Sequence, residues 1–192
     1  MTLAQVVLIG PVCTGKSTLL PLVAGQLGVA GVDLDEIAGP YYEEAGASVA
    51  DLVDRAGEVG FLEAHRWWQY THPHAVRRVL RDYPNAAVAL GAGHTHHEDV
   101  DRMSEIAVLL EPCFTVFVLP SSDLDRSIDV LRERAMRSRD TDWRYGGYDF
   151  LEHWVKDQCN HSLAKFMAYT DRETPAETAA RIAKAATADA PA

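Results

Sequence analysis

The chain has 192 residues, 47% of them apolar and 24% charged, with a formal net charge of −10. A protein of this size can bury a full core within one domain, and its acidic balance argues against nonspecific binding to nucleic acid or to anionic membrane surfaces. No apolar run approaches the roughly 20 residues of a membrane span, and Met1 leads so directly into the first apolar run that no leader peptide is expected.

The cysteines Cys13, Cys113 and Cys159 are far apart and odd in number. Without a C-x-x-C spacing they support neither a disulfide framework nor a structural zinc site, and a reducing cytoplasm is the expected location.

Taken in order, Leu3 to Ile9 reads as a buried strand and Leu19 to Leu27 as a helix. Between them lies Gly10-Pro11-Val12-Cys13-Thr14-Gly15-Lys16-Ser17-Thr18, a G-x-x-x-x-G-K-[ST] pattern in strand–loop–helix context. Such a loop turns successive N–H groups into an anion-binding nest, with the positive end of the following helix aimed at the same point. Gly10, Cys13, Thr14, Gly15, Lys16, Ser17 and Thr18 are therefore the expected contacts of a nucleoside triphosphate. Lys16 would reach its β- and γ-phosphates, and the Ser17 hydroxyl would ligate Mg²⁺.

A short second strand, Val29 to Asp33, ends in Asp33-Leu34-Asp35-Glu36. Ile37 to Ala45 reads as helical but broken at Gly39-Pro40, and Ser48 caps the next helix. A long helical region follows from Glu58 to about Tyr83, interrupted at Pro73; its aromatics Phe61, Trp67, Trp68 and Tyr70 suit core or pocket wall. Ala86 to Leu90 is a third strand, closed by Gly91-Ala92-Gly93 and then by His94-Thr95-His96-His97-Glu98-Asp99. Strand alternation does not persist through this histidine run, which enters a helix over Val100 to Leu110, so a metal site is not expected there. His94, directly after the glycines, is the better candidate for a hydrogen bond to substrate.

Phe114 to Leu119 is the clearest strand, followed by a helix from Asp123 to about Arg137 that is basic at its end. Ser138 to Asn160 is polar and aromatic, with Gly146-Gly147 as an expected hinge, and Phe166 to Thr170 is the last strand. Thr174-Pro175-Ala176-Glu177 opens the final helix with a capping box, and the tail after Ala186 is expected to fray. Strands alternating with helices predict a three-layer α/β/α sandwich around a five-stranded parallel sheet, in a single domain over residues 1–192. Ligands of such sheets gather beyond the carboxyl ends of the strands.

The absence of N-K-x-D argues against a GTPase, and neither the Ala86 nor the Phe114 strand ends in the acid of a motor ATPase. The carboxylates left near the phosphates are Asp33 and Asp35. The chain at this point resembles the shikimate kinase family, within the nucleoside monophosphate kinase-like group. The resemblance rests on the phosphate loop, Asp33-x-Asp35, Gly57-Glu58-x-x-Phe61, the glycine cluster after the third strand and the closing Tyr169-Thr170 strand before Thr174-Pro175-Ala176-Glu177-Thr178. It implies a P-loop kinase with a mobile lid, here about residues 136–160, that uses ATP and Mg²⁺ to phosphorylate a hydroxyl. It further implies that Asp35 contacts that hydroxyl and Asp33 lies near the metal. Arg134 and Arg137 are the expected lid arginines, with helix-surface ion pairs to residues such as Glu133 as the alternative; Arg139 and Arg144 are weaker candidates.

Leu62 occupies the position where the family carries a carboxylate-gripping arginine, and Gly91-Ala92-Gly93 replaces three glycines. Losing a bidentate clamp normally costs kilocalories, so shikimate is not the expected acceptor. Arg66, at i+4 from Leu62, is the remaining cation that could reach that pocket. The candidate substrate-binding set is thus Asp35, Arg66, Gly91, Gly93 and His94, with Lys16, Asp35 and Arg137 catalytic and Ser17 and Asp33 on the metal. The acceptor would be a small hydroxylated molecule, with a nucleoside or nucleotide kinase, or an ATP-binding regulatory switch, as the alternatives. The expected assembly is a monomer or homodimer, with neither nucleic acid nor membrane as partner.

Overall fold

The computed structural model describes residues 5–189. Strands and helices alternate from β1 (Val6–Ile9) and α1 (Lys16–Leu27) through β2 (Ala30–Asp33), α2 (Leu34–Ile37), α3 (Gly39–Glu44), α4 (Val49–Val59), α5 (Phe61–Trp68) and α6 (His72–Asp82). They continue with β3 (Ala86–Ala89), α7 (Val100–Leu110), β4 (Phe114–Leu119), α8 (Leu124–Arg139), β5 (Arg144–Tyr145) and β6 (Tyr148–Asp149). The chain closes with α9 (Phe150–Lys156), α10 (Gln158–Leu163), β7 (Phe166–Tyr169) and α11 (Pro175–Asp189). Five strands form one parallel sheet in the order β2-β3-β1-β4-β7.

Alternation along β1 divides the core. Val6 and Leu8 pack with Leu19, Leu20 and Val23 of α1 and Ile182 of α11 on one face. Val7 and Ile9 pack with Val76, Ile106, Leu131, Phe150 and Trp154 on the other. Every residue of β1, β3 and β4 is buried, as sheet strands covered on both faces require. Among the described residues no helix is long and apolar enough to cross a membrane.

Several boundaries differ from the sequence reading for local reasons. The first strand begins at Val6, and its expected first residues, Leu3 and Ala4, lie outside the described part. Helix α1 starts at Lys16 rather than Leu19, because Gly15 takes a left-handed conformation (φ 97°) as its N-cap. The break expected at Gly39-Pro40 falls at Ala38, between α2 and α3, and Pro40 lies in the first turn of α3, where its missing N–H is surplus. Pro73 likewise sits in the first turn of α6; the helical region breaks instead at Gly60 (φ 85°) and at a 3₁₀ turn over Gln69–Thr71. The capping boxes are as expected: the Asp51 N–H bonds Ser48, and the Thr174 N–H bonds Glu177.

The region 136–160 is more built than its polar composition suggests. Gly146 and Gly147, with φ of 57° and 79°, form the two-residue turn of the β5–β6 hairpin rather than a hinge. Behind it, Phe150, Leu151, Trp154 and Val155 of α9 are buried in the core. Helix α11 runs past Ala186 to Asp189, and residues 190–192 are outside the described part.

Candidate active site

The loop after β1 is fixed by close approach. A Cβ on Gly10 (φ 136°) would stand 2.6 Å from the Val118 carbonyl oxygen on β4, so only glycine lets the chain leave the sheet at this point. Cys13 is left-handed at φ 61°, which is unusual for a residue with a side chain, and with Gly15 it bends the loop over the start of α1. Thr14 braces the turn by donating its hydroxyl to the Pro11 carbonyl at 3.1 Å.

Lys16 folds back into this loop, donating to the Gly10 and Pro11 carbonyls at 2.7 and 2.8 Å. Burial of its ammonium lowers the pKa to about 8, against the opposing pull of Asp35 and Asp33. Ser17 donates to Asp33 Oδ2 at 2.8 Å. Asp33 is the N-cap of α2, its Oδ1 accepting the Asp35 N–H at 3.1 Å, so capping falls to Asp33 and leaves the Asp35 carboxylate free. Adjacent oxygens of an octahedral Mg²⁺ shell, at about 2.1 Å from the ion, lie roughly 3 Å apart. The Ser17 and Asp33 oxygens have that spacing, and both are hard donors suited to this ion.

These residues line one cleft of about 640 Å³. Its floor is Cys13 to Thr18; Asp33, Asp35, Val12 and Ala92 form one wall, and Arg134, Arg137, Ser138 and Arg139 of α8 form the other. Arg134 donates to the Cys13 carbonyl at 3.3 Å, while Arg137 is exposed and ion-paired to Glu133 one turn earlier. Both arginines expected at the site are therefore present, Arg137 in its alternative ion pair as well. Val12 and Ser138 were not among the expected contacts, whereas Ala92 stands in the glycine cluster expected to approach the substrate. A second hollow of about 230 Å³ adjoins the cleft through Thr14, Gly15, Thr18 and Arg134, and reaches Thr170, Glu173, Pro175 and Thr178. It was also missed, although the loop after the last parallel strand must emerge at this same sheet edge.

Four of the expected substrate contacts, Arg66, Gly91, Gly93 and His94, lie outside the cleft lining. Arg66 binds Glu63 and Glu98 at 2.8 and 3.1 Å, so it is held at the surface by two carboxylates. Gly91 lies beneath Asp35: a Cβ there would overlap Asp35 Oδ1 and come within 2.7 Å of His94 Nδ1. Gly93 is covered by His65 and His72. His94 is buried, and both its nitrogens are engaged, Nδ1 with the Gly91 carbonyl at 3.2 Å and Nε2 with the Tyr42 hydroxyl at 2.8 Å. A carbonyl can only accept, so the neutral ring carries its proton on Nδ1 and accepts from Tyr42. His94 thus supports Gly91 and is not available to bind substrate.

Histidines without any assignable part in the sequence prove to share one buried neighbourhood. His72 lies 4.6 Å from His94 and 5.5 Å from His97 between ring centroids, and His65 lies 6.2 Å from His72. Burial lowers the pKa of His65 and of His97 to about 4, and that of His72 well below its usual value; neighbouring imidazoles add to each effect. Among the described residues no group of three or more potential ligands is arranged to hold a metal ion.

The parallel sheet in the order β2-β3-β1-β4-β7, with its flanking helices, is the P-loop kinase fold in its shikimate kinase-like form. Solved shikimate kinases share it across nearly the whole chain. The enzyme from Acinetobacter baumannii, solved in complex with shikimate, superposes with a TM-score of 0.62 at 18% identity, covering 98% of this chain and 95% of its own. That from Aquifex aeolicus gives 0.62 at 18% identity over 96% and 97% of the two chains. That from Bacteroides thetaiotaomicron gives 0.60 at 21% identity over 95% and 98%. No family model matches the sequence, and no curated protein matches it either.

Proposed function

We propose that the protein is an ATP-dependent phosphotransferase that moves the γ-phosphoryl group to a hydroxyl of a small molecule, and that shikimate is not its acceptor. The carrying observation is the convergence of Lys16, Ser17, Asp33 and Asp35 in one cleft facing the α8 arginines. Phosphoryl transfer needs little covalent help from the protein; positioning and charge neutralisation do most of the work. The loop amides and Lys16 hold the phosphates, and Arg134, between the two hollows, spans phosphate and nucleoside. The nucleoside lies toward Pro175 and Thr170. Ser17 and Asp33 hold Mg²⁺, which when bound neutralises phosphate charge. Asp35 orients the acceptor hydroxyl and takes its proton as the new O–P bond forms. Arg137 and Arg139 close over the transferred group.

The case against shikimate rests on the lost clamp. Leu62 packs toward the hairpin turn, 3.5 Å from where a Cβ of Gly146 would stand, and Arg66 is committed to Glu63 and Glu98. The test is ADP formation from Mg-ATP across hydroxylated metabolites, nucleosides and antibiotics, shikimate included, with mass spectrometry for the added phosphoryl group. One product, lost in Asp35→Asn, is the expected outcome; shikimate as the best acceptor overturns the second half of the proposal.

Gly91→Ala is expected to separate activity from folding. Gly91 has an ordinary backbone conformation, but the new methyl must push the Asp35 carboxylate aside. A displacement near 1 Å at a catalytic group costs up to about a hundredfold in rate. Steady-state transfer should fall ten- to a hundredfold while the far-UV spectrum and binding of Mg-ADP stay as in the wild type.

A further inference from the structure

From the charges around Asp35 we infer that the acceptor carries no anionic group: it is an uncharged alcohol rather than a carboxylate- or phosphate-bearing one. The inference rests on the phosphotransferase reading above and extends it to the class of substrate. Outside the phosphate loop and α8, the cleft is lined by Asp33, Asp35 and Ala92, two carboxylates and one apolar side chain. The layer behind them is neutral. Beneath Asp35 lie Gly91 and His94, with the ring of His94 spent on the Gly91 carbonyl and the Tyr42 hydroxyl. His65 and His72 cover Gly93, His65 packed against Phe61, Phe150 and Trp154 and His72 against His94 and His97, where a charged imidazole is disfavoured.

Several cations of the flanking elements are already engaged, and Arg55 on α4 lies over the Trp67 ring. Arg66 on α5 holds Glu63 and Glu98; Arg132 and Arg144 both bind Asp149 at the hairpin. The positive charge that does face the cleft, from Lys16, Arg134, Arg137 and Arg139, lies on the phosphate loop and on α8, where a triphosphate claims it. An anionic acceptor would therefore approach two carboxylates whose neighbouring cation, Lys16, is committed to the triphosphate, and like charges at such range repel.

The wild-type protein decides this with matched pairs: shikimate methyl ester against shikimate, a nucleoside against its 5′-monophosphate, and myo-inositol against gluconate. Transfer is followed by ADP release and product mass at low and at raised ionic strength. We expect kcat/KM for the neutral member of the productive pair to exceed that of its anionic partner at least tenfold. The gap should narrow as salt screens the repulsion. An anionic member preferred in any pair overturns the inference and leaves the phosphotransferase reading standing. Bound Mg-ATP with no member phosphorylated, and ADP release unchanged by all of them, overturns both.

Discussion

Acidification from pH 7 to pH 5 is expected to remove roughly 4 kcal/mol of folding stability, about 2 kcal/mol from each of His65 and His97, with His72 acting in the same direction. The folded pKa of His65 and of His97 is about 4, and that of His72 is also depressed, against 6.5 for each in the unfolded chain. Between those values the unfolded state binds more protons than the native one, so stability falls as the pH falls. Each group's contribution is complete above pH 6.5 and is lost progressively toward pH 4. His94 shifts in the same direction, by burial first, although Asp35 beside it works the other way. Asp157 behaves oppositely: burial would raise its pKa, but its bond to His96 prevails, and its contribution survives to lower pH. A loss of about 4 kcal/mol is a large part of a typical domain's 5–15 kcal/mol. Urea midpoints measured at half-unit steps of pH check the slope. His65→Phe, placed among Phe61, Phe150 and Trp154, should flatten it by about 2 kcal/mol over the same range. A wild-type midpoint that is level from pH 7 to pH 5 contradicts the argument.

Lys16→Met is expected to lower phosphoryl transfer by at least a hundredfold while leaving thermal stability within a few degrees of the wild type. Removing one preorganised donor from a site of developing negative charge typically costs 10²–10³ in rate. The stability side follows from its enclosure. A residue with its stem still facing the cleft keeps its ammonium among carbonyls, and a pKa of about 8 instead of 10.5 corresponds to roughly 3 kcal/mol against the charged form. The variant removes that penalty but leaves the Gly10 and Pro11 carbonyls without a donor, at about 1 kcal/mol each. The terms nearly cancel. Single-turnover transfer and a thermal melt, taken on the same preparation, separate the two effects.

The parts of the fold legible in sequence are those with a local cause. Apolar runs marked the five strands of the sheet, and side chains three residues apart marked the caps at Ser48 and Thr174. The phosphate loop was legible because glycine is demanded at Gly10 and Gly15 by local backbone geometry. The site was legible where chemistry sits at a strand end, as with Asp33 and Asp35. Distant partnerships were not. Arg66 was read as a substrate ligand because nothing near it in sequence reveals Glu98, and His94 because nothing reveals Tyr42. His65, His72 and His97 come together only when α5, α6 and the loop after β3 pack. The hairpin escaped notice because strands of two residues carry no periodicity, and its glycines read as a hinge for the same reason.

The strand order has a kinetic consequence. Strand β1, at the centre of the sheet, pairs on one side with β3 through Val7 and Val88, and on the other with β4 through Leu8 and Val116. Both pairings close very long loops before they return any energy, the situation in which folding is slow and non-local contacts form late. The bend at Gly10 is itself packed on Val118, so the phosphate loop takes shape only after β4 has docked. A polyanion that binds this loop recognises the completed topology alone and stabilises it by mass action. During synthesis, a nascent chain that has not yet produced β4, which ends at Leu119, has no such cradle to offer.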